Sequence, residues 1–179
     1  EWIECRILSS GSRTNPWMQE SSNKIIQSGE IVSFDTDMVG PYGYCADISR
    51  TFVEGNKFNT EQKKLYLTAV EQINHNYRLI KPGMSFKEFT EKSWILPEEY
   101  YGNRYSVMVH GIGLCDEWPA IRYPTDGGQR EKHFEKNMTI TIESYIGKVG
   151  GKEGVKLEQQ YLVGENSLEL MSHHPLEDL

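Results

Sequence analysis

A tight turn flanked by strand-like runs carries three aspartates, and no other stretch constrains this chain as strongly. The run FDTDMVGPYGYCADISRTF, Phe34 to Phe52, holds Asp35, Asp37 and Asp47. Ile31 to Val39 is dominated by Ile, Val, Phe and Met, which predicts a strand. Gly40, Pro41, Tyr42 and Gly43 predict a turn, Tyr44 to Val53 the returning strand, and Gly55 with Asn56 its end. In a strand, residues two apart point the same way. Asp35 and Asp37 are therefore expected on one face, with Asp47 reaching that face across the hairpin.

The segments that follow alternate in type. Asn59 or Thr60 can cap a helix on which Tyr66, Val70, Ile73, Tyr77 and Ile80 form one apolar face, ended by Pro82 and Gly83. Ser85 with Glu88 is a capping-box pattern opening a shorter helix from Phe86 towards Ile95, stopped by Pro97. Ser106–His110, Met138–Tyr145 and Val155–Val163 predict strands. Met138, Ile140 and Ile142 share one face, and Thr139, Thr141 and Glu143 the other; Lys156, Glu158 and Gln160 share a face further on. Strands, helices, then strands predict an α+β fold with a largely antiparallel sheet. Residues 1–179 are enough for a single domain with a real core. The apolar fraction of 37% and aromatic fraction of 11% predict a folded chain.

Acids recur where strands should be apolar. Glu143 and Glu158 lie inside alternating apolar runs, and His110 ends another. Taken singly, each has an ordinary explanation: Asp35 an exposed strand residue, Asp47 an ion pair with Arg50, His110 a satisfied core histidine. Together, carboxylates on one sheet face repel each other and lose hydration. A divalent cation removes both problems, and Asp, Glu and His are ligands that Mn, Fe, Co or Zn accept.

The segments DTDMVGPYGYCADISRTF, HGIGL, ITIE and EGVKLEQQYLV resemble, in this order, the metal-binding motifs of the M24 family, whose members include methionine aminopeptidase, Xaa-Pro aminopeptidase, prolidase and creatinase. The resemblance covers nearly the whole chain. It implies a pita-bread fold, a curved antiparallel sheet with flanking helices and pseudo-twofold halves. Its five-ligand pattern falls on Asp37, Asp47, His110, Glu143 and Glu158, and Asp35 adds a further carboxylate. An N-terminal domain usual in creatinase-like members is expected to be absent here, and the first residue, Glu1 rather than Met, suggests a fragment.

The chain departs from the peptidases. They typically read HGIGLDxHExP; here HGIGLCDEWP is one residue shorter, with Asp116 near the place of the second histidine. Glu143 is followed by Ser144 and Tyr145 instead of Pro-Gly. WIECRILSSGSRTNPW, FDTDMVGPYGYCAD, HGIGLCDEWP and GGKEGVKLEQQ resemble instead the DddP-type dimethylsulfoniopropionate lyases of the same family. That likeness implies cleavage to dimethyl sulfide and acrylate, with iron as the metal in preference to Mn, Zn or Co. Asp116 is then the expected base and Tyr105 its helper or a substrate-orienting group. Trp17, Trp118, Tyr105 and Trp2 offer aromatic faces to the sulfonium. The alternatives are an Xaa-Pro peptidase or creatinase-like hydrolase, and a pita-bread domain that only binds protein.

The net charge of -7 argues against nucleic acid, and no window approaches a membrane span. Cys5, Cys45 and Cys115 form no disulfide pattern, so a reducing compartment and a cytoplasmic location are expected. Cys45 and Cys115 read as small core residues before thiolate ligands, and His173 and His174 as a solvated tail. Family relatives imply a homodimer in the full-length form.

Overall fold

The computed structural model describes residues 2–3, 7–55, 57–128, 131–177 and 179. Cys5, Asn56 and the side chain of Trp2 lie outside the described residues. Short strands come first: β1 (Trp2–Ile3), β2 (Leu8–Ser10), β3 (Ile31–Asp35), β4 (Met38–Val39), β5 (Cys45–Ala46) and β6 (Ser49–Val53). The helices α1 (Thr60–Leu79), α2 (Phe86–Lys92) and α3 (Glu98–Tyr101) follow. The chain then returns to strands in β7 (Val107–Gly111), β8 (Ala120–Arg122), β9 (Thr139–Gly147), β10 (Gly154–Val163) and β11 (Leu168–Leu170). Among the described residues these make a five-stranded sheet, β11-β10-β9-β7-β8, and two three-stranded sheets, β1-β4-β5 and β2-β3-β6. Every pairing is antiparallel.

The aspartate hairpin is not the pair of continuous strands its sequence suggests. It breaks at Thr36–Asp37 and again at Asp47–Ile48, so its two halves belong to different sheets. At the break the Thr36 hydroxyl donates to the Ile48 carbonyl (2.9 Å), and Asp37 and Asp47 leave the pleat while Asp35 stays paired with Ser49 at the end of β3.

Helix α1 starts at a complete capping box, Asn59 with Gln62. Leu65, Tyr66, Ala69 and Ile73 pack it into the core against β9 and β10. That face is more polar than its apolar spacing suggests. Gln62, Gln72 and Asn76 are buried on it, while Tyr77 stays at the surface. Each polar side chain has a partner: Gln62 donates to Glu153, Gln72 to Tyr123, and Asn76 accepts from the Trp94 backbone. Helix α2 stops at Lys92, short of Ile95, because Ser93 caps it and Trp94 turns to Asn76. The Glu153 carboxylate accepts from the Ile31 backbone (2.8 Å) and from Gln62 (2.9 Å), tying the β9–β10 hairpin to β3 and α1.

The C-terminal histidines are exposed, but the segment is not loose. Arg50 donates to the carbonyls of His174 and Pro175. The ordinary alternative for Asp47, an ion pair with Arg50, is not what forms: the guanidinium donates to backbone carbonyls, including that of Glu158 (2.5 Å), and to the Gln159 side chain. No helix among the described residues is long and apolar enough to cross a membrane.

Gly111 ends β7 beside His110, and a Cβ there would sit 2.1 Å from the Trp118 carbonyl oxygen. Backbone cannot swing aside as a side chain can. Gly111→Ala should therefore destabilise the fold by about 3 kcal/mol or more, read as a lowered midpoint in thermal unfolding.

Candidate metal centre

The site lies where β10, β9 and β7 meet the broken hairpin. Glu143 and Glu158 stand directly opposite each other in the β9–β10 register. Like charges so placed repel. His110, on β7, brings its Nε2 to 3.1 Å from Glu158, 3.6 Å from Asp47 and 3.7 Å from Glu143. Ligand atoms of Asp47, His110 and Glu158 lie within 4.8 Å of one another, as do those of Asp35, Asp37 and Asp47. The six residues that strand alternation singled out are thus brought together, with Asp47 common to both groups. Asp37 is half-buried and the other five are buried.

Backbone and hydroxyl groups hold these side chains in place. Ser49 donates to Asp35 (2.5 Å) and also lies 3.0 Å from Glu158. Gln160, on the same face of β10 as Glu158, accepts from the Asp47 backbone (3.3 Å). The Thr51 hydroxyl bonds both backbone groups of Lys156, fastening β6 to β10.

The donor set fits a divalent cation. His110 Nδ1 faces the Gly111 carbonyl (3.0 Å), which can only accept, so Nδ1 carries the proton. Nε2 points into the carboxylates: burial works against a charge on the ring, but Asp47, Glu158 and Glu143 hold its pKa well above the usual histidine range, and loss of that proton leaves the lone pair of a metal-ligating histidine. Asp47 Oδ1 and Glu143 Oε1 are buried without a hydrogen-bond donor. Two orphaned carboxylate oxygens beside such a lone pair are costly unless a cation meets them.

Sequence reading passed over Lys156. Its ammonium is 2.8 Å from both Glu143 and Glu158 and 3.8 Å from Asp35. The signal was present, since Lys156 shares a strand face with Glu158. Burial works against its charge, but Asp35, Glu143 and Glu158 outweigh that and hold it well above the usual lysine range. Burial raises Asp35 to about 6, Glu143 to about 8 and Asp47 well above the ordinary carboxylate value. For Glu158, Lys156 and His110 overcome burial and hold it below that value.

The other singled-out residues surround the cluster. Trp17 is buried, stacked on Tyr145. Its ring and that of Tyr105 already face the Lys156 ammonium, at 5.6 and 5.5 Å from their centroids. Trp118 is 51% exposed and lines a cavity of about 650 Å3 together with His110, Tyr44, Leu114 and Met138. Cys45 and Cys115 line it too, neither in a disulfide. A second cavity of about 610 Å3, on the outer side of α1, touches none of the clustered acids. Asp116 stands apart from the cluster and accepts from the Glu117 backbone (3.0 Å), not from Arg122, which reaches Ser106. Burial, and then the charge of Asp37, raise Asp116 to about 6. Glu117, which sequence analysis did not single out, adopts a left-handed backbone (φ 54) and lies 3.2 Å from the Tyr105 hydroxyl. Nothing in its sequence context signalled this.

An antiparallel sheet presenting a buried Asp, His and Glu set defines a pita-bread metalloenzyme. Residues 2–165 match metallopeptidase family M24, and the chain belongs to that family, one of divalent-metal enzymes. It is 41% identical over 99% of its length to dimethylsulfoniopropionate lyase DddP of Roseovarius nubinhibens and 39% identical to that of Roseobacter denitrificans. It spans 40% of the length of each of these relatives. Among solved structures it resembles prolidase from Pyrococcus furiosus, with a TM-score of 0.77 and 30% identity, covering 92% of this chain and 47% of that one.

Divalent metal bound to the folded state should raise the thermal midpoint, by about 2.7 kcal/mol of stability at one hundred times Kd. Asp47 belongs to both candidate groups, so Asp47→Ala should take up less divalent metal than the parent. Elemental analysis showing parent-level metal in that variant would remove Asp47 from the ligand set.

Proposed function

We propose that this chain carries the catalytic site of a lyase that cleaves dimethylsulfoniopropionate to dimethyl sulfide and acrylate. One observation carries the reading: Asp116, six residues after His110, is a carboxylate outside the acid cluster yet under the influence of Asp37 and His110, with its pKa lifted towards neutrality. The likeness to two lyases of this substrate supplies its identity. We assign Asp35, Asp37, Asp47, His110, Glu143 and Glu158 as metal ligands. Resemblance favours iron, with Mn, Zn or Co as substitutes, and a homodimer for the full-length protein.

The reaction is a β-elimination. A divalent ion held by these residues would supply positive charge to offset the charge that develops on the substrate carboxylate. Asp116 takes the proton from the carbon next to that carboxylate. The carbon–sulfur bond breaks with its electron pair going to sulfur, a double bond forms, and dimethyl sulfide leaves neutral; Asp116 then returns the proton to solvent. A base whose pKa lies near 6 is largely ionised at neutral pH yet still accepts a proton well. Trp118, exposed on the cavity, offers a face to the sulfonium. Tyr105 is half-buried, and desolvation followed by the charge of Glu143 holds its hydroxyl well above the usual tyrosine range, so it keeps its proton and orients groups as a donor. Prolidase-type hydrolysis has less support, since the segment after His110 is one residue shorter than the peptidase pattern and carries Asp116 near the place of its second histidine.

Incubating the whole protein with dimethylsulfoniopropionate and Fe, Mn or Zn should release dimethyl sulfide into the headspace, with no hydrolysis of an Xaa-Pro dipeptide in parallel. Asp116→Asn should lower kcat by about 10²–10⁴ with unchanged metal content. Near-parent release by that variant would sink the base assignment. Because the ionised carboxylate is the active form, kcat/KM should climb as pH rises through about 6 and level off above it.

A further inference from the structure

The reaction leaves the buried charge inside the acid cluster without a role. Lys156 is 2% exposed, and its ammonium touches Glu143 and Glu158 (both 2.8 Å) and Ser49 (3.1 Å), with Asp35 at 3.8 Å. The faces of Trp17 and Tyr105 approach it as well. Such a shell of carboxylates, a hydroxyl and aromatic faces is one built around a permanent cation. Among the described residues, no other lysine or arginine head group pairs with the five carboxylates. Glu143 and Glu158 each turn one oxygen, Oε2, to Lys156 and the other, Oε1, towards His110.

We propose that Lys156 is a built-in cation of the metal centre. It holds the acid cluster together in the metal-free protein, and it weakens the binding of the divalent ion whose charge it partly replaces. The proposal rests on the ligand set assigned above. Two cations that share the same carboxylates each reduce what the other gains, so their coupling is unfavourable. Lys156 is thus a positioning residue with a signature that ordinary roles lack. A side chain that merely aimed the ligands would strengthen metal binding, and one that merely filled the core would have no link to metal.

The test compares Lys156→Met with the parent in the whole protein, stripped by chelator or saturated with Mn2+. The stripped variant should melt on the order of 10 °C lower. Saturating Mn2+ should recover most of that loss, so the metal-induced rise exceeds that of the parent. The Mn2+ Kd, from calorimetric titration, should tighten by about tenfold or more. Lys156→Arg keeps the charge and should follow the parent. Equal melting losses with and without Mn2+, or an unchanged or weaker Mn2+ affinity in Lys156→Met, overturn the proposal alone. A parent that takes up no divalent ion overturns it together with the ligand set. If Lys156→Met does not fold, adding Glu143→Gln removes one acid along with the base. A stripped double variant that folds and melts near the parent supports the proposal, and one no more stable than the single variant overturns it.

Discussion

Four buried carboxylates, with Asp37 half-buried beside them, in a protein with few buried cations set the terms for the rest of this structure. Buried acids repel and lose hydration, and each must be met by a donor or a cation. Three kinds of partner meet them here. Ser49 donates a hydroxyl hydrogen, His110 turns a ring nitrogen inward, and Lys156 places an ammonium between Glu143 and Glu158. The oxygens left over, Asp47 Oδ1 and Glu143 Oε1, are where a divalent ion has most to gain.

The surrounding fold can be understood as the frame this arrangement requires. Glu143 and Glu158 face each other because β9 and β10 are paired in that register, and a slip of one residue would turn both away. Arg50 grips the Glu158 carbonyl and the C-terminal carbonyls at once, so a ligand strand and the end of the chain are fastened by one guanidinium. Thr51 and Gln160 do the same for Lys156 and Asp47 through backbone contacts. These supports are polar and buried, and they restrict the ligands more tightly than apolar packing could.

The chemistry follows from what stands just outside that frame. The loop after His110 is where this chain departs from the peptidase pattern that its sequence otherwise resembles. Here that loop carries Asp116, Glu117 and Trp118 beside an open cavity, with Glu117 held in a backbone conformation that few non-glycine residues adopt.

By itself the sequence determined the α+β class, a helix capped at Asn59 or Thr60, and the six acid and histidine positions that the fold brings together. Period-two alternation marks strand faces, and an acid embedded in apolar alternation is conspicuous without coordinates. Only the tertiary structure decided the rest. The hairpin breaks at Thr36–Asp37 and Asp47–Ile48 because a side-chain hydrogen bond across strands competes with the ladder, which local propensity does not register. Gln62, Gln72 and Asn76 are buried on α1 because their partners, Glu153, Tyr123 and Trp94, lie far along the chain. Lys156 could be placed on the face of Glu158 from its spacing, but its burial among Glu143, Asp35 and Ser49 depends on sheets that meet only after folding. Charge balance belongs to a volume, and the sequence orders residues along a line.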